Sequence, residues 1–400
     1  MKKQILFALS LTFSAAAWAF TGSGTQADPY QIASADELVE LSTTVNDANA
    51  ANDFAGEYFS VTSDIALPAD FTPIGTETEF KGHFDGQNHT IALQINYDGT
   101  YCGLFARVTD GSIQNLRTVG SVVGSKAIAG ALVGYAKNTE IINCANAASV
   151  EGKTKVGGLV GEAFEGTIER SFNMGAVSTQ DNPTDYDYRG IGGLVGFVNN
   201  VTINSCYNAG TVSCANNFYY AGGLVGNASN ATSMKYCYNV GSVTAPQAGA
   251  VIGMQTDCTI EYCYSDAQLF PNLEAINNTT AAFESCKMLK TSELIASTDL
   301  AAGNFNGNNS GKTYYHLSSD FANDAMARVS TAAAVLNAAD NVAAVAHDFT
   351  VSDASLFSAD QKVVFASDGT ARVNRCKDGI TLSNITIQSG DFKREIALTI

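Results

Sequence analysis

The chain has 400 residues with 36 glycines, 15% charged residues, and 39 acidic against 22 basic side chains, a net charge of −17. So acidic a surface repels phosphate backbones and anionic lipid, which sets nucleic acid and bare membrane aside as partners. Few charges with many glycines and asparagines fit a globular all-β protein rich in tight turns, long enough for one large core and a smaller domain.

The first residues read as a secretory leader. Lys2 and Lys3 precede the apolar run "ILFALSLTFSAAAW", and Ala17-Trp18-Ala19 fits a small-x-small cleavage site, so residues 1–19 are expected to be removed. The run is shorter than the ~20 residues a membrane span needs, and no later stretch is apolar enough to cross. The remainder is expected outside the cytoplasm, at a bacterial cell surface, in the medium or in a periplasm.

Residues 20–56 form a capping segment. "DPYQIASADELVELSTTV" contains a short helix beginning near Ser34, placed to cover strand edges that would otherwise invite aggregation. "YFSVTSDIAL" and "FKGHFDGQNHTIALQI" then read as two degenerate repeats.

Regular repeats follow. "AGALVG", "VGGLVG", "IGGLVG", "AGGLVG" and "AGAVIG" end at Gly134, Gly161, Gly196, Gly226 and Gly253, spaced 27, 35, 30 and 27 residues apart. Ile141, Ile168, Ile203, Met234 and Ile260 follow, and three residues later come Cys144, Ser171, Cys206, Cys237 and Cys263. "CGLFARVTDGSIQNLRTVGSV" enters the same frame, giving six copies. Each copy has about three short β-prone runs and is too short to fold alone or to hold a crossover helix. Stacking pairs every run with its counterpart, about 4.8 Å away. Residues 57–270 are therefore expected to form a parallel β-helix of about eight coils, right-handed like other parallel crossovers. Asn146, Asn173, Asn208 and Asn239 suit left-handed turns and hydrogen bonding along the stack.

These coils, with their "GGLVG…TI…CYN" pattern and the lead-in "GSGTQADPYQI…FDGQNHTI…GLFARV", resemble the GLUG-motif repeats of bacterial secreted and surface proteins. The likeness spans residues 22 to 269. GLUG repeats are similar across adhesin-like proteins and non-catalytic regions of immunoglobulin A zinc proteases. The resemblance implies a surface scaffold and brings no catalytic residues with it. The copy at Ala145 lacks the aromatic and the glycine, and the last copy lacks the asparagine.

Beyond Pro271 the repeat stops. Residues 271–345 read as a helical linker or cap, and 346–400 as a small all-β module, with an immunoglobulin-like sandwich as one form it can take.

The chemistry-bearing residues point to binding. A column that accepts Leu116, Ser171 and four cysteines is a small core site, so free buried thiols are expected there; side chains stacked in parallel do not readily reach disulfide geometry. His83, Asp85 and His89 cluster in sequence, but fit turn and packing roles. There is no HExxH, only four histidines, and scattered basic residues (Arg107, Arg117, Lys153, Lys155, Arg170, Arg189 and Lys235). The expectation is a non-enzymatic, cofactor-free, monomeric scaffold with adhesin-like binding of an extracellular glycan or a host or surface protein. The alternative is a polysaccharide lyase or hydrolase on a β-helix. Two insertions, "STQDNPTDYDYRG" and "SCANNFYYAG", fall at one edge of adjacent copies. Tyr186, Tyr188, Phe218, Tyr219 and Tyr220 can stack on sugar rings there, and Asp181, Asp185 and Asp187 can hold calcium.

Overall fold

The computed structural model describes residues 20–302, apart from 49–51, 127, 180–188, 216–219 and short gaps between 268 and 296, together with five strands between 350 and 396. The leader expected at residues 1–19 lies outside the described residues.

Three stacks of strands run along a solenoid of about eight coils. A short sheet of six strands comprises Tyr101–Cys102, Ile128–Gly130, Lys155–Gly157, Gly190–Gly192, Tyr220–Gly222 and Ala248–Gly249. A long sheet of 13 strands starts at Tyr30–Ile32 and includes Val133–Ile142 and Val160–Glu169; a third sheet, also of 13, includes Arg117–Val123, Tyr207–Asn208 and Cys286–Leu289. Ladders between coils are parallel and keep the register that the repeat spacing predicts: Ile141 pairs with Ile168, then Ile203, Met234 and Ile260. The 35- and 30-residue intervals leave this register intact, because the extra residues lie in the insertions.

Pairing continues past the last repeat, with Cys263 opposite Cys286 and Asp266 opposite Leu289. Cys286, which sequence spacing sets apart, thus extends the cysteine column by one rung. Val351 pairs with Ile387 in parallel, while Ile385–Ser389 with Phe392–Ile396 and Val363–Phe365 with Ala371–Val373 are antiparallel.

At the N-terminal end the helix expected near Ser34 is present as α1 (Ala35–Val45). Ser34 caps it by accepting from the Glu37 N–H, while the Glu37 carboxylate reaches back to the Ala33 N–H, satisfying donors a helix start leaves orphaned. Leu38, Leu41 and Val45 are fully buried in the solenoid core. Asn46 fastens the helix end to the next coil, donating to Pro73 O and accepting from Gly75 and Thr76 N–H.

The core itself is a set of ladders. Cys144, Cys206, Cys237, Cys263 and Cys286 are buried free thiols, and the Cys206 N–H donates to Cys237 Sγ at 3.4 Å. Two residues on, the asparagines form a buried amide chain: Asn146 donates to Asn173, Asn173 to Asn208 and Asn208 to Asn239, at 2.8, 2.8 and 2.9 Å. They hydrogen-bond along the stack as expected, but none has a positive φ. At this corner the left-handed residues are instead Asn115, Asn143, Arg170, Ser205, Tyr236 and Tyr262, one before each core column position. A Cβ on Gly193 would lie 2.1 Å from Gly223 O in the next coil and 2.2 Å from Asn208 Cγ, so glycine here admits both the neighbouring backbone and the amide chain. Between the two columns the motif aromatics stack flat, Phe172 on Tyr207 at 4.6 Å and Tyr207 on Tyr238 at 4.9 Å.

Candidate binding edge

Each coil has three corners. The glycine motif turns the short sheet into the long one, the left-handed residue turns the long sheet into the third, and the insertions bridge the third sheet back to the short one. The strands that flank the insertions, Val177–Thr179 with Gly190–Gly192 and Val212–Ser213 with Tyr220–Gly222, therefore end and begin at one edge. Gly190, which follows the first insertion, pairs with Tyr220, which follows the second. Tyr220 is half-exposed at the start of its strand. Tyr186, Tyr188, Phe218 and Tyr219 lie outside the described residues, as do Asp181, Asp185 and Asp187.

Beside this edge the structure brings together residues that the sequence reading leaves apart. Tyr101, Ile128 and Lys155 are the first residues of their short strands, in one column with Gly190 and Tyr220. On the long sheet the residue after each motif's last glycine forms a second column: Tyr135, Glu162 and Phe197 in successive coils. The two columns meet. The Tyr101 ring lies 5.3 Å from Tyr135, Tyr135 lies 5.7 Å from Phe164, and Phe164 lies 5.7 Å from Phe197. Tyr101, Tyr135 and Phe164 remain half-exposed. Lys155 is ion-paired with the buried Glu162 and sits 4.8 Å from the Phe197 ring centroid. Partial burial pushes the Tyr101 and Tyr135 phenols up, with the Glu162 charge acting in the same sense. These hydroxyls stay protonated and can donate. The result is an aromatic seam four coils tall, with phenolic donors and one ammonium–carboxylate pair. The sequence signal for it was the variable position after each "LVG" glycine, whose column holds Tyr, Glu and Phe in turn.

The other candidate polar residues have structural partners. His83 Nδ1 lies 2.9 Å from Ser112 Oγ and its ring stacks on Tyr58, whereas His89 Nδ1 faces Asp64 at 3.2 Å. The Asp85 carboxylate accepts from the Gln87 N–H and from the Gln114 and Asn115 amides. Arg107 donates to the carbonyls of Gly75, Thr76 and Glu77, stapling two coils together. Lys235 pairs with Glu261 at 2.9 Å.

No protein-family model matches the chain. A stretch of 160 residues is 32% identical to halomucin of Haloquadratum walsbyi, covering 36% of this chain and 2% of that protein. The aligned part is thus a small fraction of the relative's length. Among solved structures, a protein described as a candidate immunoglobulin A1 protease from Bacteroides ovatus superposes with a TM-score of 0.55 and 21% identity. The match covers 71% of this chain and 90% of that one, and it establishes the shared β-helix fold. A further structure named IgA1 Protease reaches a TM-score of 0.43 at 17% identity, over 62% of this chain and 20% of its own length. The Bacteroides ovatus structure is named as a protease, and this overturns the expectation of a non-enzymatic chain. The same coil architecture occurs in a protein so named, so a stacked scaffold lacking a familiar motif does not argue against an enzyme.

Proposed function

We propose that this chain is an extracellular recognition module that holds a glycan or glycoprotein along the edge where the insertions emerge. The observation that carries the reading is the aromatic seam: four rings in successive contact, two with protonated hydroxyls, end at Phe197 in the coil that the first insertion enters. Amphipathic rings backed by a rigid sheet suit sugar stacking, because little conformational freedom is lost on binding. The leader-like composition of residues 1–19 and the similarity to halomucin support an extracellular or surface placement. Among the described residues no helix is long and apolar enough to cross a membrane. The reading concerns recognition, and in a protease-like protein such an edge would hold the substrate.

The test is a glycan array and a pull-down of surface glycans and proteins with the chain. Tyr186, Tyr188, Tyr219 and Tyr220 changed together to Ala should abolish capture while barely shifting the melting temperature, because variable insertions tolerate change better than inward columns. Retained capture with a melting temperature several degrees lower would mean that the rings are structural. Cleavage of immunoglobulin A1 and of polysaccharides, measured on the same preparation, asks whether recognition serves catalysis.

A further inference from the structure

A different corner carries its own signal. Where the long sheet turns into the third, each coil passes through one residue with φ between 46° and 55°: Asn115, Asn143, Arg170, Ser205, Tyr236 and Tyr262. Asparagine is at home in this conformation, whereas a bulky aromatic there is an outlier. Two consecutive coils nevertheless place tyrosine in it. The Tyr236 and Tyr262 rings lie parallel, 5.2 Å apart at an interplanar angle of 6°, and both are half-exposed. They contribute nothing to the closed core, so core packing does not account for the strain.

Their surroundings are polar. Lys235 Nζ lies 5.1 Å and 5.6 Å from the two ring centroids and 2.9 Å from Glu261. The adjoining strand face presents Thr202, Ser233 and Thr259 in one column and Asn204, Lys235 and Glu261 in the next, all exposed or half-exposed. A protein-binding hot spot sets its aromatics within an apolar patch. Here the one exposed large hydrophobic among the described residues is Val39, on α1. Rings bordered by hydroxyl, amide and carboxylate groups match a sugar, which offers C–H faces for stacking and hydroxyls for hydrogen bonds. The Lys235–Glu261 pair is neutral as a unit and the whole chain is acidic, so an uncharged sugar is favoured over an anionic one.

We infer that Tyr236 and Tyr262, with Lys235 and Glu261, form a platform for a neutral oligosaccharide, separate from the insertion edge. It shares only the extracellular setting with the function proposed above. The test is isothermal titration calorimetry of the full chain with cellohexaose, laminarihexaose, mannohexaose and chitohexaose. At least one hexaose should bind. Y236N/Y262N should weaken it by about tenfold or more, the loss expected when two stacking rings are removed. Because asparagine relieves the strained backbone, the melting temperature of that variant should stay level or rise. Y236F/Y262F, which keeps both rings, should stay within about threefold of the parent chain. The inference is overturned if no hexaose binds the parent chain, if Y236N/Y262N binds equally well, or if Y236N/Y262N melts several degrees lower. Hexaose binding lost only on mutating Tyr186, Tyr188, Tyr219 and Tyr220 would support the insertion edge and overturn this platform.

Discussion

Two columns run through the core two residues apart, one of cysteine and one of asparagine, equally buried and differently constrained. Every polar valence of Asn208 is used. Its Nδ2 donates to Asn239 Oδ1 and Gly210 O, while its Oδ1 accepts from Asn173 Nδ2 and the Gly210 N–H. Asn173 repeats the pattern one coil earlier, so each amide is fixed by its own chain and by both neighbours. The cysteines make weaker, replaceable contacts. Cys237 Sγ accepts the Cys206 N–H at 3.4 Å, and Ser171 Oγ accepts the Cys144 N–H at 3.0 Å in the same role. Burial alone thus does not set tolerance to change; the number of hydrogen bonds that depend on one side chain does.

Alkaline pH separates the columns most strongly, because amides do not titrate and thiols do. Burial pushes the Cys144 and Cys286 thiols up to about 12. A thiol with a folded pKa above its unfolded value contributes stability that is complete below about pH 8.5 and is lost as pH rises towards 12. The expected loss is roughly 1.4 kcal/mol per thiol per pH unit in that window. Urea midpoints at pH 8, 9.5 and 10.5 should fall steeply, and C144S/C286S should flatten the slope.

Breaking the amide column should cost less than full alkaline titration but more than substituting a single thiol. Asn208→Leu orphans the Asn173 donor, the Asn239 acceptor and both backbone groups of Gly210. At about 1–3 kcal/mol for each unsatisfied group, the loss should be about 4 kcal/mol or more. Denaturant midpoints and amide exchange at Asn173 and Asn239 would show it, and an unchanged midpoint would mean that the column is ornamental. The smallest change should be Cys237→Ser, expected within about 1.5 kcal/mol because a hydroxyl already occupies this column at Ser171. A larger loss would show that the thiol fills volume a hydroxyl cannot.

Legibility in the sequence follows the same division. Ladder register was readable because a repeat of near-fixed length leaves stacked strands one way to pair, and Ile141, Ile168 and Ile203 sit opposite one another as their spacing implies. The free thiols were readable too, since a column accepting Leu, Ser and Cys is a small buried site. The conformation of the asparagines was not. Asn is frequent in left-handed turns, and only the meeting of each side chain with the next coil's amide shows that Asn146 to Asn239 are extended and that Asn143 takes the turn.

The candidate sites divide likewise. Tyr220 could be singled out from its insertion, because an insertion in a repeat must leave at a corner. Nothing in the sequence joins Tyr101 to Tyr135, Phe164 and Phe197, which are separated by 29 to 34 residues between successive contacts and come together through coil stacking. The solenoid, its register and its inward columns could be read from the chain alone, because these depend on residue size and period. Tertiary structure alone decided which outward side chains share a surface. Exposed positions obey no periodic constraint, and their neighbours are set by how one coil lies on the next.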